Sequence, residues 1–144
     1  NYRMSEVQAL MGWKQIQKLD EVVQQRNHIM QCYVKALKDL EITPQYIEVG
    51  VVHNVQSVVF KVLSRAIRDE LILFLKQQGI ESTLGTYCLS GTSYFKEQYK
   101  NVQKNAALLE DTTITLPCYQ GIDVAFVTDV VKQFFSELSI ESKA

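Results

Sequence analysis

The apolar and polar positions open on a long helical register. Val7, Leu10, Met11, Ile16 and Leu19 fall at spacings that share one helix face. Ser5 with Gln8 three residues on has the form of a capping box, so the pattern predicts a helix start at Ser5. A second apolar series follows in Val22, Val23, Ile29, Met30, Tyr33, Val34 and Leu37. Gly12 is the sole breaker between positions 5 and 40. One helical segment is expected there, bent near Leu19 and Asp20, where Asp20 can cap a restart. Lys14, Gln15, Lys18, Gln24, Gln25 and Arg26 are assigned to its wet face. Pro44 ends it, because the residue before a proline avoids the helical region.

The period then changes. Positions 45–54 read as irregular or extended. Val58, Phe60 and Val62 alternate within 56–63, which predicts a strand. Positions 65–78 return to helical spacing, with Ile67, Leu71, Phe74 and Leu75 as the apolar stripe and Gly79 as the stop. A short strand is expected at 80–83. Positions 84–101 hold two glycines, several hydroxyl residues and aromatics without a period, so they read as a shaped loop. A short helix at 102–110 and a strand at 113–116, closed by Pro117, come next. Asp123 is the expected N-cap of a last helix with Val127, Val130, Val131, Phe134 and Leu138 facing the core. A polar tail from 139 is expected to fray. Three short strands among helices predict a small α/β layer domain.

Composition narrows the function classes. With 144 residues, 47% hydrophobic and 22% charged, the chain has the size and balance of one globular domain. A formal net charge of -1 favours neither nucleic acid nor an anionic membrane as partner. No apolar run approaches the roughly 20 residues of a bilayer span. Cys32, Cys88 and Cys118 are odd in number and widely spaced. That argues against a disulfide framework and for a reducing, cytoplasmic setting. His28 and His53 do not cluster with the cysteines, so no metal site is expected. His28 reads as a partly exposed helix residue.

Glycine-rich phosphate cradles and the G-x-S-x-G elbow are absent. Neither Cys88 nor Cys118 has a nearby His, and both read as inert thiols. The acidic pairs Asp20-Glu21 and Glu110-Asp111 read as solvated faces and caps. Physical reasoning thus reaches an α/β domain with one loop of interest, and no reaction.

The wording of the sequence goes further. Asn1-Tyr2-Arg3-Met4-Ser5-Glu6-Val7-Gln8-Ala9 resembles the N-x-R-M-S-E-x-Q-A block of the DegT/StrS family, pyridoxal-phosphate-dependent sugar aminotransferases of fold type I. Gln15 to Glu21 is similar to its Q-L-x-K-L-D-E, and Gln25-Arg26-Asn27 follows where the family is rich in arginine. His53 before Val58-Val59-Phe60, then Leu75, Gly79 and Ile80, then Leu116-Pro117 with Gly121-Ile122-Asp123, resemble later blocks in the same order. The first block is specific, the later ones are individually weak, and together they span nearly the whole chain.

The resemblance implies that residues 1–144 form a single small C-terminal domain, a long N-terminal helix plus a three-stranded sheet with flanking helices. The cofactor-binding large domain, with its Schiff-base lysine, would lie upstream. No catalytic residue is therefore expected in this chain, which alone should be inactive, since that chemistry needs the upstream amine. In the resembling family Asn1 would reach the cofactor phosphate across a homodimer interface, with Arg3 as a second anion partner. His53 would sit near the substrate or at the domain seam, and Tyr87 and Ser90 would face substrate, although Ser90 stands where relatives often carry a His and cannot carry a proton as that His can. The implied intact enzyme is a cytoplasmic homodimer with a shared active site. It would move an amino group, with glutamate as donor, onto a keto-sugar nucleotide for polysaccharide or secondary-metabolite synthesis. Two other readings stand beside it: a same-fold dehydratase or regulatory member, and a stand-alone interaction domain.

Overall fold

A computed structural model describes residues 3–141. Helix α1 (Glu6–Ile16) starts at the expected capping box: Ser5 accepts from the Gln8 amide and the Gln8 side chain accepts from the Ser5 amide. The helical segment is broken, not bent. Residues 17 and 18 leave the register, and α2 (Leu19–Leu37) restarts on Lys18, which gives no side-chain cap. Asp20 lies inside the first turn of α2 instead of capping it.

Four strands form one antiparallel sheet, in the order β1 (Thr43–Pro44), β2 (Val58–Lys61), β4 (Thr113–Leu116) and β3 (Thr83–Leu84). The expected three strands gain a fourth, because Thr43 and Pro44 pair with Lys61 and Phe60 at the sheet edge. Proline is tolerated there, since an edge strand need not donate on its outer side. The strand expected at 80–83 sits later, at β3, where Thr83 pairs with Thr115 and Leu84 with Ile114. Between them α3 (Arg65–Gln77) is capped by Ser64 and stopped at Gly79, whose φ of 75° suits a residue without Cβ. Within 84–101 the chain is not a plain loop. It forms a single 3₁₀ turn (Leu89–Gly91) and helix α4 (Ser93–Tyr99). Helix α5 (Lys104–Thr112) precedes β4, and α6 (Val124–Glu141) follows it. The Asp123 carboxylate accepts from the Phe126 amide, so the expected cap is present. The tail expected to fray from 139 stays helical to Glu141.

The sheet has two unlike faces. On one, Val58, Phe60, Val62, Ile114 and Leu116 are buried against Ile29, Tyr33 and Leu37 of α2, Leu71 and Leu75 of α3, and Val127, Val131 and Phe134 of α6. Each such side chain contributes about 1.5–3 kcal/mol through removal from water. Phe135 joins this core although its position was not in the expected stripe. Arg68 is also buried there: it donates to the Glu110 carbonyl at 2.6 Å and to Asp69 at 2.6 Å, which ties α3 to the end of α5. The opposite face carries Val59, Lys61 and Thr115, which stay partly or fully open. Helix α1 buries none of its residues.

Candidate functional site

The open face of the sheet is the floor of a groove of about 620 Å³. Val59, Lys61 and Thr113 form the floor, the turn after β1 with Tyr46 lies along one side, and Gly85 and Thr86 lie along the other. His53, Gln56 and Ser57 also line it. Gly85 is fixed by contact: a Cβ there would overlap Thr113 and lie 2.7 Å from Val59 Cγ1. Its amide donates to the Thr113 carbonyl at 2.9 Å, which holds the chain against the sheet.

His53 is half-buried at the groove, and its Nδ1 is enclosed without a partner among the described residues. The backbone beneath it is held from α2. Asn27 Nδ2 donates to the His53 carbonyl at 2.8 Å, and Arg26 Nη1 donates to the carbonyls of Val55 and Gln56, each at 3.1 Å. Val55 lies between them, fully buried, with a φ of 48°. A β-branched residue in the left-handed region costs about 1–3 kcal/mol, so the surroundings must enforce it. Arg26 therefore does not belong to the wet face assigned from periodicity; it is half-buried and spent on this turn.

The other expected site residues are dispersed. Asn1 lies outside the described residues. Arg3 is exposed ahead of α1 and does not line the groove. Tyr87 is 63% exposed and follows Thr86 out of the groove. Ser90 is occupied locally, accepting from the Gln103 amide at 2.9 Å and lying 3.3 Å from Cys88 Sγ. The structure thus brings His53 to the groove together with Gly85 and Thr86, and leaves Tyr87 and Ser90 beside it. Sequence reading gave Arg26, Asn27, Gly85 and Lys61 no site role. Arg26 and Asn27 stood in family-like wording, and Gly85 is a glycine just past a strand pattern.

The three cysteines are free thiols, Cys88 buried and Cys32 and Cys118 partly so. Cys88 is buried and its amide donates to the Glu110 carboxylate. Burial pushes the Cys118 thiol up, partly offset by Arg26. His28 is exposed, with Nε2 3.7 Å from Cys32 Sγ. Among the described residues no three His, Cys, Asp or Glu side chains gather to hold a metal ion. No helix among them is long and apolar enough to cross a membrane.

Fold and groove together define a layered α/β domain with a groove on the less covered face of its sheet. The sequence places it more closely: residues 1–135 match the model of the DegT/DnrJ/EryC1/StrS aminotransferase family, and the chain belongs to that family. Solved structures share the fold. Spr1654 of Streptococcus pneumoniae, assigned as a sugar aminotransferase, superposes in its apo form with a TM-score of 0.86 at 20% identity. That match covers 99% of this chain and 38% of the other. TlmJ, an aminotransferase from Streptoalloteichus hindustanus, gives 0.84 at 21% identity, covering 92% of this chain and 37% of its own. PseC of Helicobacter pylori, an aminotransferase of pseudoaminic acid biosynthesis, gives 0.84 at 18%, covering 95% and 39%. The chain therefore spans under two fifths of the length of these relatives. No curated protein matches the sequence.

Proposed function

We propose that this chain is the C-terminal domain of a pyridoxal-phosphate-dependent aminotransferase acting on a nucleotide-linked keto-sugar, and that its open sheet face forms one wall of the substrate site. The family match over 1–135 carries the reading. Related structures support its parts. Spr1654 has been solved in PLP and PMP forms, and DesI with its TDP-sugar product. Glutamate is the proposed donor, and a homodimer the proposed assembly.

The described residues do not make a cofactor cradle by themselves. The groove offers Lys61 as its cation, the imidazole of His53, and the neutral groups of Gln56, Ser57, Thr86 and Thr113. None of the helix N-termini among the described residues is in its lining. Such a wall suits the hydroxyl-rich, neutral part of a sugar, whose oxygens accept and donate in turn. Lys61 adds one cation toward a diphosphate. Cofactor contacts from Asn1 and Arg3, and substrate contacts from Tyr87 and Ser90, belong to this proposal as well, and would need the rest of the parent protein. This chain alone is expected to be inactive.

The test is made on the intact reading frame, purified with pyridoxal phosphate. A visible band of bound cofactor that shifts on adding glutamate is the expected result. No band at saturating cofactor would sink the aminotransferase reading.

A further inference from the structure

We infer that Arg26 and Asn27 are positioning residues: from α2 they hold the 53–56 turn, and through it they set the His53 imidazole at the groove. The inference rests on the reading of the groove as a substrate wall, and names the device that shapes it.

Among the described residues no hydrogen bond holds the imidazole, and its Nδ1 is buried without a partner. Its place is therefore dictated by the backbone that carries it. That backbone passes through Val55, buried and in the left-handed region, a conformation that relaxes unless something restrains it. The restraint comes from two adjacent residues of one helix. Asn27 Nδ2 takes the His53 carbonyl, and also the Val23 carbonyl of its own helix at 2.8 Å, so the amide is oriented from both sides. Arg26 Nη1 takes the Val55 and Gln56 carbonyls together. A guanidinium donor is always charged, and a charge-assisted bond to a carbonyl is stronger than a neutral one. The Asn54 side chain adds a local bond by accepting from the Gln56 amide at 3.2 Å. Held this way, His53 presents an imidazole to a ligand hydroxyl or phosphate oxygen entering the groove.

The experiment uses the intact, cofactor-loaded protein and its Asn27→Asp, Arg26→Ala and Arg26→Lys variants. Asn27→Asp keeps the shape and removes the donor. The first readout is the rate at which diethylpyrocarbonate modifies His53, resolved by mass spectrometry, relative to the exposed His28. Loss of a bond that restrains a strained turn should raise that ratio about tenfold in Asn27→Asp and Arg26→Ala. Arg26→Lys should recover part of the effect. The second readout is calorimetric Kd for the tighter of two probes, dTDP-glucose and UDP-glucose, expected to weaken about tenfold in the same two variants. Ser64→Ala, which weakens the cap of α3 away from the turn, should lower the melting temperature and leave the ratio alone. A ratio within about twofold of wild type in both variants would overturn the inference, as would an altered ratio with unchanged Kd. Absence of a cofactor band in the wild type would strike the proposed function instead, and the His53 ratio would still decide whether the clamp exists.

Discussion

Helices α1 and α6 carry comparable apolar patterns and meet opposite fates. In α6, Val127, Val130, Val131, Phe134 and Phe135 are each at most 7% exposed. In α1, Val7, Leu10, Met11, Trp13 and Ile16 are each at least 55% exposed. Periodicity reports which face of a helix is apolar, and says nothing of what covers it. Helix α6 meets a sheet and two helices within these residues. The apolar face of α1 has nothing described here to meet, in a chain that spans under two fifths of its relatives.

Substitution should separate the two helices most sharply. Phe134→Ala in α6 should cost about 3–5 kcal/mol of unfolding free energy by urea titration, from lost burial and the cavity left behind. Trp13→Ala in α1 should stay within about 0.5 kcal/mol in this chain. A large loss at Trp13 would mean that α1 is packed in solution.

The glycines extend the comparison. Gly85→Ala drives a methyl into Thr113 and Val59 and should cost about 1–3 kcal/mol, with the groove deformed. Gly12→Ala meets nothing within 4 Å in exposed α1, and should stabilise by about 0.5–1 kcal/mol through helix propensity. Thermal melts of both variants give the signs directly.

A subtler contrast lies in pH. Burial pushes the Tyr33 phenol up, helped by Cys118 and Tyr119 nearby. Its hydroxyl donates to the Pro117 carbonyl at 3.0 Å. A raised pKa means that the folded state holds the proton more tightly. The stability from this group is full below the ordinary phenol value of about 10 and is lost as pH rises above it. Tyr33→Phe should cost about 1 kcal/mol at neutral pH and flatten the alkaline fall in stability, measured by urea titration from pH 8 upward. An unchanged alkaline limb would assign the fall to other groups.

Much of the fold was legible. The Ser5 capping box, the alternation of Val58, Phe60 and Val62, the Gly79 stop and the Asp123 cap are local signals, and each is realised. The pairing of Thr43 and Pro44 was not legible, because two residues carry no period and their strand exists only through β2. The two turns of α4 hid in aromatic and hydroxyl residues with a short helix's weak pattern. At the site, the family-like wording brought His53 forward. It could not show that Tyr87 and Ser90 stand beside the groove: the lining stops at Thr86, and Ser90 lies within the 3₁₀ turn that follows at Leu89–Gly91.

The sequence by itself determined the longer helices, the strands at 58–61 and 113–116, most of the apolar stripes and the family, because these rest on neighbours a few residues apart and on characteristic wording. Only the tertiary structure decided that Arg26 and Asn27 reach across to residues 53–56, that Gly85 lies against Thr113, and that one face of the sheet is left open. Those facts depend on groups roughly 30 residues apart in sequence meeting at hydrogen-bond or van der Waals distance. No local period encodes such meetings; they appear only when the core has fixed where each element lies.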